Sequence, residues 1–208
     1  QAAVVANSSA SCSIVAAAGL AEDAQAGKPV LPVQVVLLAA PPDAALSLDV
    51  PASTPRVAAA DVDVCPAQPA AAEAGAEAAA SPEIDRAVYG ADAYYPAQTV
   101  RVVDLGYMRS QRIVRVEIYP FQYNPVSRKL MVVDSTRVTV RFDRNGAAQG
   151  AFVAEPDAFE AAFRANLLNY DAARNWRNVA AAAPTAAWVP PSPGYKVAVK
   201  ETGVYHLT

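Results

Sequence analysis

The sequence predicts an all-β domain, an antiparallel β-sandwich of jelly-roll-like type, with one helix on its C-terminal side and the start of a following β segment. Short apolar runs with a two-residue period recur through the first 145 residues. Turn residues separate these runs at roughly 8–12-residue spacing, which is typical of sandwiches and barrels. The 17 prolines, against 9 glycines, exclude a helical bundle or a coiled coil.

The first hundred residues hold the less regular predicted strands. A valine-rich run covers Leu31 to Leu38, and apolar and polar residues alternate from Leu46 to Val50. A further run covers Val57 to Val64. Residues 67–80 are an Ala/Glu/Pro/Gln low-complexity segment, which indicates a solvent-exposed loop inside a sandwich domain that spans residues 1–150.

The middle of the chain has the clearest strand pattern. Gln98 to Leu105, Ile113 to Tyr119, Lys129 to Asp134 and Thr136 to Phe142 are β-rich, and turn residues separate them. The period predicts an antiparallel meander with one dry face and one arginine-rich wet face. Six side chains are predicted to be buried on the dry face: Val114, Val116, Ile118, Val138, Val140 and Phe142.

A helical period interrupts the β pattern between Asp157 and Arg177. Four apolar residues recur there at spacings of four, four and three, and Pro156 is suitably placed near the helix start. We expect this helix to rest on the sandwich through Phe159, Phe163, Leu167 and Tyr170. The prediction divides the rest of the chain into a helical segment (151–179), an Ala/Pro linker (180–194) open to proteolysis, and the first strands of a truncated following domain (195–208).

Charge is distributed unevenly along the chain. The net charge of −3 argues against a nucleic-acid binder, and no apolar run is long enough to predict a membrane span. Residues 1–100 carry 3 basic and 11 acidic side chains, whereas residues 101–144 carry 9 basic and 4 acidic ones. The asymmetry could mark an anionic ligand, but we favour pairing of the two segments within one fold.

No catalytic or metal-binding constellation stands out, so the chain is predicted not to be an enzyme and to need no cofactor or metal. His206 is the single histidine, and neither a phosphate-binding glycine loop nor a GxSxG motif occurs. Asp61 and Asp63 share a strand face and could share a calcium ion, although a solvated face is the simpler interpretation. Cys12 and Cys65 are interpreted as two buried thiols, with a disulfide as the alternative.

Several motifs in order resemble the propeptide of gingipain-type cysteine peptidases, family C25. The resemblance covers residues 25–208 and rests on Gly27-Lys28-Pro29-Val30-Leu31-Pro32, Tyr95-Pro96, Gly106 with Arg112, the run from Tyr119 to Pro125, the strand pair that ends at Phe142, and the tail from Tyr195 to Thr208. Residues 67–80 have no counterpart in the family pattern.

This resemblance implies a β-sandwich that holds the downstream peptidase domain of the same polypeptide inactive and assists its folding. It further implies a secreted protein whose catalytic Cys and His lie beyond this chain. A start at Gln1 without Met fits cleavage of a secretory signal, or a domain excised from a longer protein. The alternative is a carbohydrate- or surface-binding module, which the positions of Trp176 and Trp188 outside any predicted strand face argue against.

An inhibitory prodomain must place an extended segment in the peptidase cleft, with a basic side chain if the pocket there is acidic. The loop from Gly106 to Arg112 is the most basic exposed connection, so Arg109 is the first candidate for this role and Arg112 the second. The alternative is that both arginines pair with acidic residues of the first hundred. Candidate processing sites are Arg174, Arg177, Lys196 and Lys200.

Overall fold

The computed structural model of the chain describes residues 4–5, 12–68, 84–144, 159–174 and 176–177. Strands and short helices alternate in these ranges in the following order: β1 (Val4–Val5), β2 (Ile14–Val15), β3 (Ala21–Asp23), β4 (Leu31–Ala40), β5 (Ala44–Asp49), β6 (Arg56–Ala59), α1 (Arg86–Tyr89), β7 (Val100–Met108), β8 (Gln111–Ile118), β9 (Phe121–Asn124), β10 (Lys129–Val132), β11 (Thr139–Arg144), α2 (Glu160–Asn166) and α3 (Tyr170–Ala173). The predicted all-β antiparallel sandwich is confirmed.

The largest sheet has the strand order β3-β4-β8-β7, with antiparallel pairs throughout. Its central strand β8 is buried on both faces: Val114 and Val116 on one, Ile113 and Glu117 on the other. The expected wet face of this strand is therefore wrong. A charged residue can lie there because Glu117 forms ion pairs with Arg101 and Arg115, which remove the cost of burying an isolated carboxylate.

Three smaller sheets complete the strand topology: β1-β2, β5-β11 and β6-β10-β9. The main apolar cluster joins β2, β4, β9 and β10, and its buried members are Val15, Leu31, Val64, Phe121, Tyr123, Leu130 and Val132. Of the six side chains expected on the dry face, Val114 and Val116 are buried, and the other four are half-buried. The strand β9 was not predicted, because Asn124 and Pro125 at its end are turn residues.

The predicted helix is present as two short helices rather than one. Phe163, Leu167 and Tyr170 pack against Ala39 of β4 and Ile113 of β8, as expected. Phe159 does not, since 44% of it is exposed, so this part of the prediction is wrong. We call residues 159–177 the C-terminal strap.

The strap breaks between its helices because the chain there bonds to an open edge of β4. Leu168 donates its backbone N–H to the carbonyl of Leu37 at 3.0 Å. The side chain of Asn169 accepts from the backbone N–H of Ala39 at 2.8 Å and donates to its carbonyl at 2.9 Å. The amide of Asn169 therefore replaces the backbone of a neighbouring strand.

Cys12 and Cys65 form a disulfide, so their interpretation as free buried thiols is wrong. The bridge fastens the segment before β2 to the segment after β6, next to the backbone hydrogen bond from Cys65 to the carbonyl of Ser13. The sequence signal was weak because 53 positions separate the two cysteines, and proximity at that distance depends on the tertiary fold.

Several predicted segments lie outside the described residues: most of the low-complexity segment 67–80, the linker 180–194, the segment 195–208, Pro156 and His206. None of the helices in the described ranges has the length and apolar character that crossing a lipid bilayer requires.

Candidate functional site

The hairpin of β7 and β8 carries the first candidate residue, Arg109, at its tip. Met108 pairs with Gln111, so Arg109 and Ser110 form a two-residue turn. Arg109 has a φ of +54°, in the left-handed region that glycine usually occupies in such turns, and it is exposed. Unfavourable backbone conformations of non-glycine residues are concentrated at functional sites, so this one marks the tip for attention.

The second candidate, Arg112, is an anchor within the fold. Its guanidinium donates to the backbone carbonyls of Pro41, Pro42 and Ala44, the last at 2.8 Å, and pairs with Asp104 at 2.6 Å. This hydrogen bond from Arg112 lowers the pKa of the Asp104 carboxyl below its usual value. Arg112 therefore joins the hairpin to the β4–β5 turn, whereas Arg109 projects from it.

The C-terminal strap reaches the same hairpin. The guanidinium of Arg109 lies 5.3 Å from the centre of the Phe159 ring, a cation–π distance. The next residue, Glu160, accepts from Arg177 at 2.7 Å. Arg177 is the last described residue, so the polypeptide leaves the described fold beside the hairpin tip.

Charge pairing between the acidic and basic segments accounts for part of their asymmetry. Ion pairs of this kind join Arg128 to Asp63 at 3.0 Å and Arg141 to Asp49 at 3.3 Å. Arg101, Arg112 and Arg115 pair instead with carboxylates of their own segment. Both arrangements keep the charges within the fold, as the favoured interpretation expected, and Arg109 forms neither of these pairs.

A cluster of charged groups lies on the outer face of the large sheet, around Glu117. Burial raises the pKa of Glu117, but hydrogen bonding and charge from Arg101, together with Arg115, outweigh that effect and lower it overall. The hydroxyl of Tyr119 donates to Asp23 at 2.8 Å, and burial is the main reason why its pKa is raised. These groups are mutually satisfied, which is the pattern of a structural network.

The candidate processing residues fall into three environments. Arg174 is exposed at the end of α3. Arg177 is only 6% exposed, bonded to Glu160 and stacked on Phe163. Lys196 and Lys200 lie outside the described residues. A cut at Arg177 therefore requires the strap to leave the sheet, because a protease needs several residues in an extended, accessible form.

An open cleft of about 1080 Å³ lies between the large sheet and β5. Leu46, Leu48 and Val100 contribute apolar surface to it, and its one aromatic lining residue, Tyr119, is buried. A glycan platform needs exposed aromatic rings. Trp176 does not provide one, because it is half-buried and packs edge-on against Phe142 at 5.5 Å. Trp188 lies outside the described residues.

Metal chemistry finds no support in the described part of the chain, where no three His, Cys, Asp or Glu side chains are grouped to hold an ion. Asp63, half of the pair considered for calcium, is bound to Arg128 instead. Asp61 has a φ of +54° and its carbonyl accepts from Arg128. These two residues thus serve the loop after β6.

Residues that matter near the tip but were not predicted are Phe159 as a contact of Arg109, and Tyr107 and Met108 before it. The sequence did contain a signal for the last two. They are large apolar residues at the end of a strand that alternation places at a sheet edge, next to a turn.

Fold and site together define a class: a β-sandwich domain, without a catalytic constellation in its described residues, that presents a basic hairpin beside the start of its C-terminal linker. Comparison with known proteins makes the class specific. The family model Propeptide_C25 matches residues 5–176, most of the chain. The chain belongs to this family, the propeptides of C25 cysteine peptidases, so it is the non-catalytic part of a peptidase zymogen.

Two solved structures from Porphyromonas gingivalis share the fold. The complex of the RgpB pro- and mature domains superposes with a TM-score of 0.58 at 22% identity, covering 83% of this chain and 87% of that one. A structure concerning the zymogenic latency of gingipain K gives a TM-score of 0.56 at 24% identity, covering 70% and 81%. No curated protein sequence matches the chain.

Proposed function

We propose that this propeptide is a tethered inhibitor of its parent peptidase and that Arg109 is the side chain that enters the peptidase cleft. The observation that carries the proposal is the position of Arg109, exposed at the tip of a two-residue turn, beside the point where the chain leaves the fold. A domain joined there is held next to the hairpin at an effective concentration on the order of millimolar. A weak interface is then sufficient for inhibition.

The backbone at Arg109 supports inhibition rather than cleavage. Peptidases bind substrates as extended strands, whereas Arg109 has a φ of +54° and is followed at once by the turn residue Ser110. The bond after Arg109 is therefore held out of a substrate-like geometry. Arg112 is the weaker candidate, because its use in the cleft would break its bonds to Asp104 and to three backbone carbonyls.

We infer that the protein is exported and that the propeptide assists folding of the peptidase domain. The Cys12–Cys65 disulfide supports export, because disulfides persist in extracellular and periplasmic compartments. The RgpB complex, in which pro- and mature domains associate, supports the downstream peptidase as the partner. For the folding role, the yield of active peptidase on refolding with and without the chain is the measurement.

The inhibitory role is tested by adding the 208-residue chain to the active parent peptidase and measuring the inhibition constant. Arg109→Ala should raise this constant about thirtyfold or more, the effect of losing a 2 kcal/mol hot spot. Arg137→Ala removes another exposed arginine, after β10, and serves as the matched control with little expected effect. Equal inhibition by wild type and Arg109→Ala would exclude Arg109. Absence of inhibition by the wild-type chain would exclude the inhibitory role itself.

A further inference from the structure

The edge strand β7 ends in a short open segment directly before Arg109. β7 pairs with β8 on one side only, since it is the last strand in the order β3-β4-β8-β7. Natural edge strands are usually protected by charges, proline or a covering loop. This one instead exposes Leu105, Tyr107 and Met108, which are 48%, 44% and 46% accessible.

A β-bulge separates this segment from the rest of the edge. The register with β8 shifts between Asp104 and Gly106, Gly106 has a φ of +78°, and its N–H is held by the Asp104 carboxylate at 3.0 Å. Bulges bend a strand and interrupt pairing along it. The open edge near the tip is thereby limited to the three residues from Gly106 to Met108.

The backbone groups of Tyr107 face the open side of this segment. The residues that flank a two-residue turn exchange both backbone hydrogen bonds, and here they are Met108 and Gln111. Orientation alternates along a strand, so Tyr107 directs its N–H and C=O away from β8. One such donor–acceptor pair is what a partner strand needs in order to join the sheet.

We propose that the edge at Tyr107 pairs with an open strand of the parent peptidase beside the pocket that receives Arg109, so that Tyr107 and Met108 lie in the two positions before it. The inference rests on the inhibitory function proposed above. It adds that recognition includes backbone pairing before the tip, with Tyr107 and Met108 as residues that determine specificity.

The position of the chain exit and the small size of the surface identify the peptidase as the occupant. Phe159 stacks on Arg109, and Arg177 is bonded to the adjacent Glu160, so the polypeptide that leads to a downstream domain departs at this tip. A stable dimer needs roughly 800 Å² per partner, more than three half-exposed side chains supply. A tethered partner does not need that area, because the tether supplies the concentration.

The test compares Tyr107→Pro with the matched variant Tyr107→Val in the 208-residue chain, using the inhibition constant for the active parent peptidase. Proline removes the outward N–H, and an edge strand accepts it where that N–H faces away from the sheet. Valine removes the ring but keeps the N–H. We expect Tyr107→Pro to raise the constant about tenfold, the effect of one net hydrogen-bonding pair, and Tyr107→Val to raise it less than about threefold.

Amide hydrogen exchange in the wild-type chain provides a second measurement that does not depend on a variant that folds. The Tyr107 amide should exchange at least about tenfold more slowly in the complex than in the free chain. Unchanged exchange, or equal effects of the two variants, would overturn the edge pairing. Protection of Tyr107 in a dimer of the chain alone would overturn it in favour of self-association.

The two proposals fail in distinguishable ways. If Arg109→Ala relieves inhibition and Tyr107→Pro does not, the inhibitory function stands and the strand pairing is wrong. If the wild-type chain does not inhibit at all, the function proposed above is wrong, and the pairing that rests on it is wrong too.

Discussion

Replacement of Asn169 by alanine should destabilise the fold far more than is usual for a polar residue in a connection between two short helices. The side chain forms two hydrogen bonds, at 2.8 and 2.9 Å, with the N–H and C=O of Ala39. Ala39 is completely buried, so its backbone groups have no direct access to solvent. Each unsatisfied buried group costs about 1–3 kcal/mol, and partial relaxation gives an expected total of about 2–4 kcal/mol.

Equilibrium unfolding in urea measures this loss, and the chain provides a matched control. Asn166 is also an asparagine of the strap, but it is exposed and donates only to the carbonyl of Ala162 in its own helix, at 2.8 Å. Asn166→Ala should change the free energy of unfolding by less than about 0.5 kcal/mol. In Asn169→Ala the amide of Ala39 should also exchange faster than in wild type. If the two variants were equally stable, the amide of Asn169 would not be replacing a strand.

Three further predictions concern the disulfide, the strap and alkaline pH. Replacing Cys12 and Cys65 by serine should lower the free energy of unfolding by about 4 kcal/mol, from the chain entropy of a loop with a sequence separation of 53; a urea titration that shows less than about 1 kcal/mol would contradict this. Glu160→Gln should accelerate tryptic cleavage after Arg177 about tenfold, because it weakens a hydrogen bond between charged groups that holds Arg177 in place, and equal rates by mass spectrometry would exclude that protection. Burial raises the pKa of Tyr95 to about 12, so the folded state retains this proton more tightly than the unfolded state. Stability should therefore be unaffected by this group below about pH 10 and fall between pH 10 and 12, and Tyr95→Phe should flatten the decline in Tm over that range.

The strands of the middle segment were predictable because their alternation survives in the folded chain. The runs around Val102, Val114 and Val140 became β7, β8 and β11 with small shifts at their ends. Burial of the second face of β8 was not predictable, because Arg115 and Glu117 are typical of a solvated face. Only the tertiary fold shows that they pair with each other and that the strap covers the neighbouring Ile113.

The candidate site was predictable in part. The sequence located a basic connection between two strands, and the structure places Arg109 at its tip and Arg112 within the fold. What distinguishes the two is long-range: the carbonyls around Pro41 that bind Arg112, and the ring of Phe159 beside Arg109. The division of the strap was equally hidden, since no glycine or proline lies between α2 and α3, and the break serves the edge of β4.

The Cys12–Cys65 bond affects the lifetime of the propeptide among proteases. Two basic residues, Lys28 and Arg56, lie between these cysteines in the sequence. A tryptic nick after either one leaves both fragments covalently joined, and the strand pairs around β4 and β6 continue to hold them in register. A single cut in this half of the domain therefore does not shed a piece of it. Latency can outlast such damage until the connection to the peptidase is itself severed.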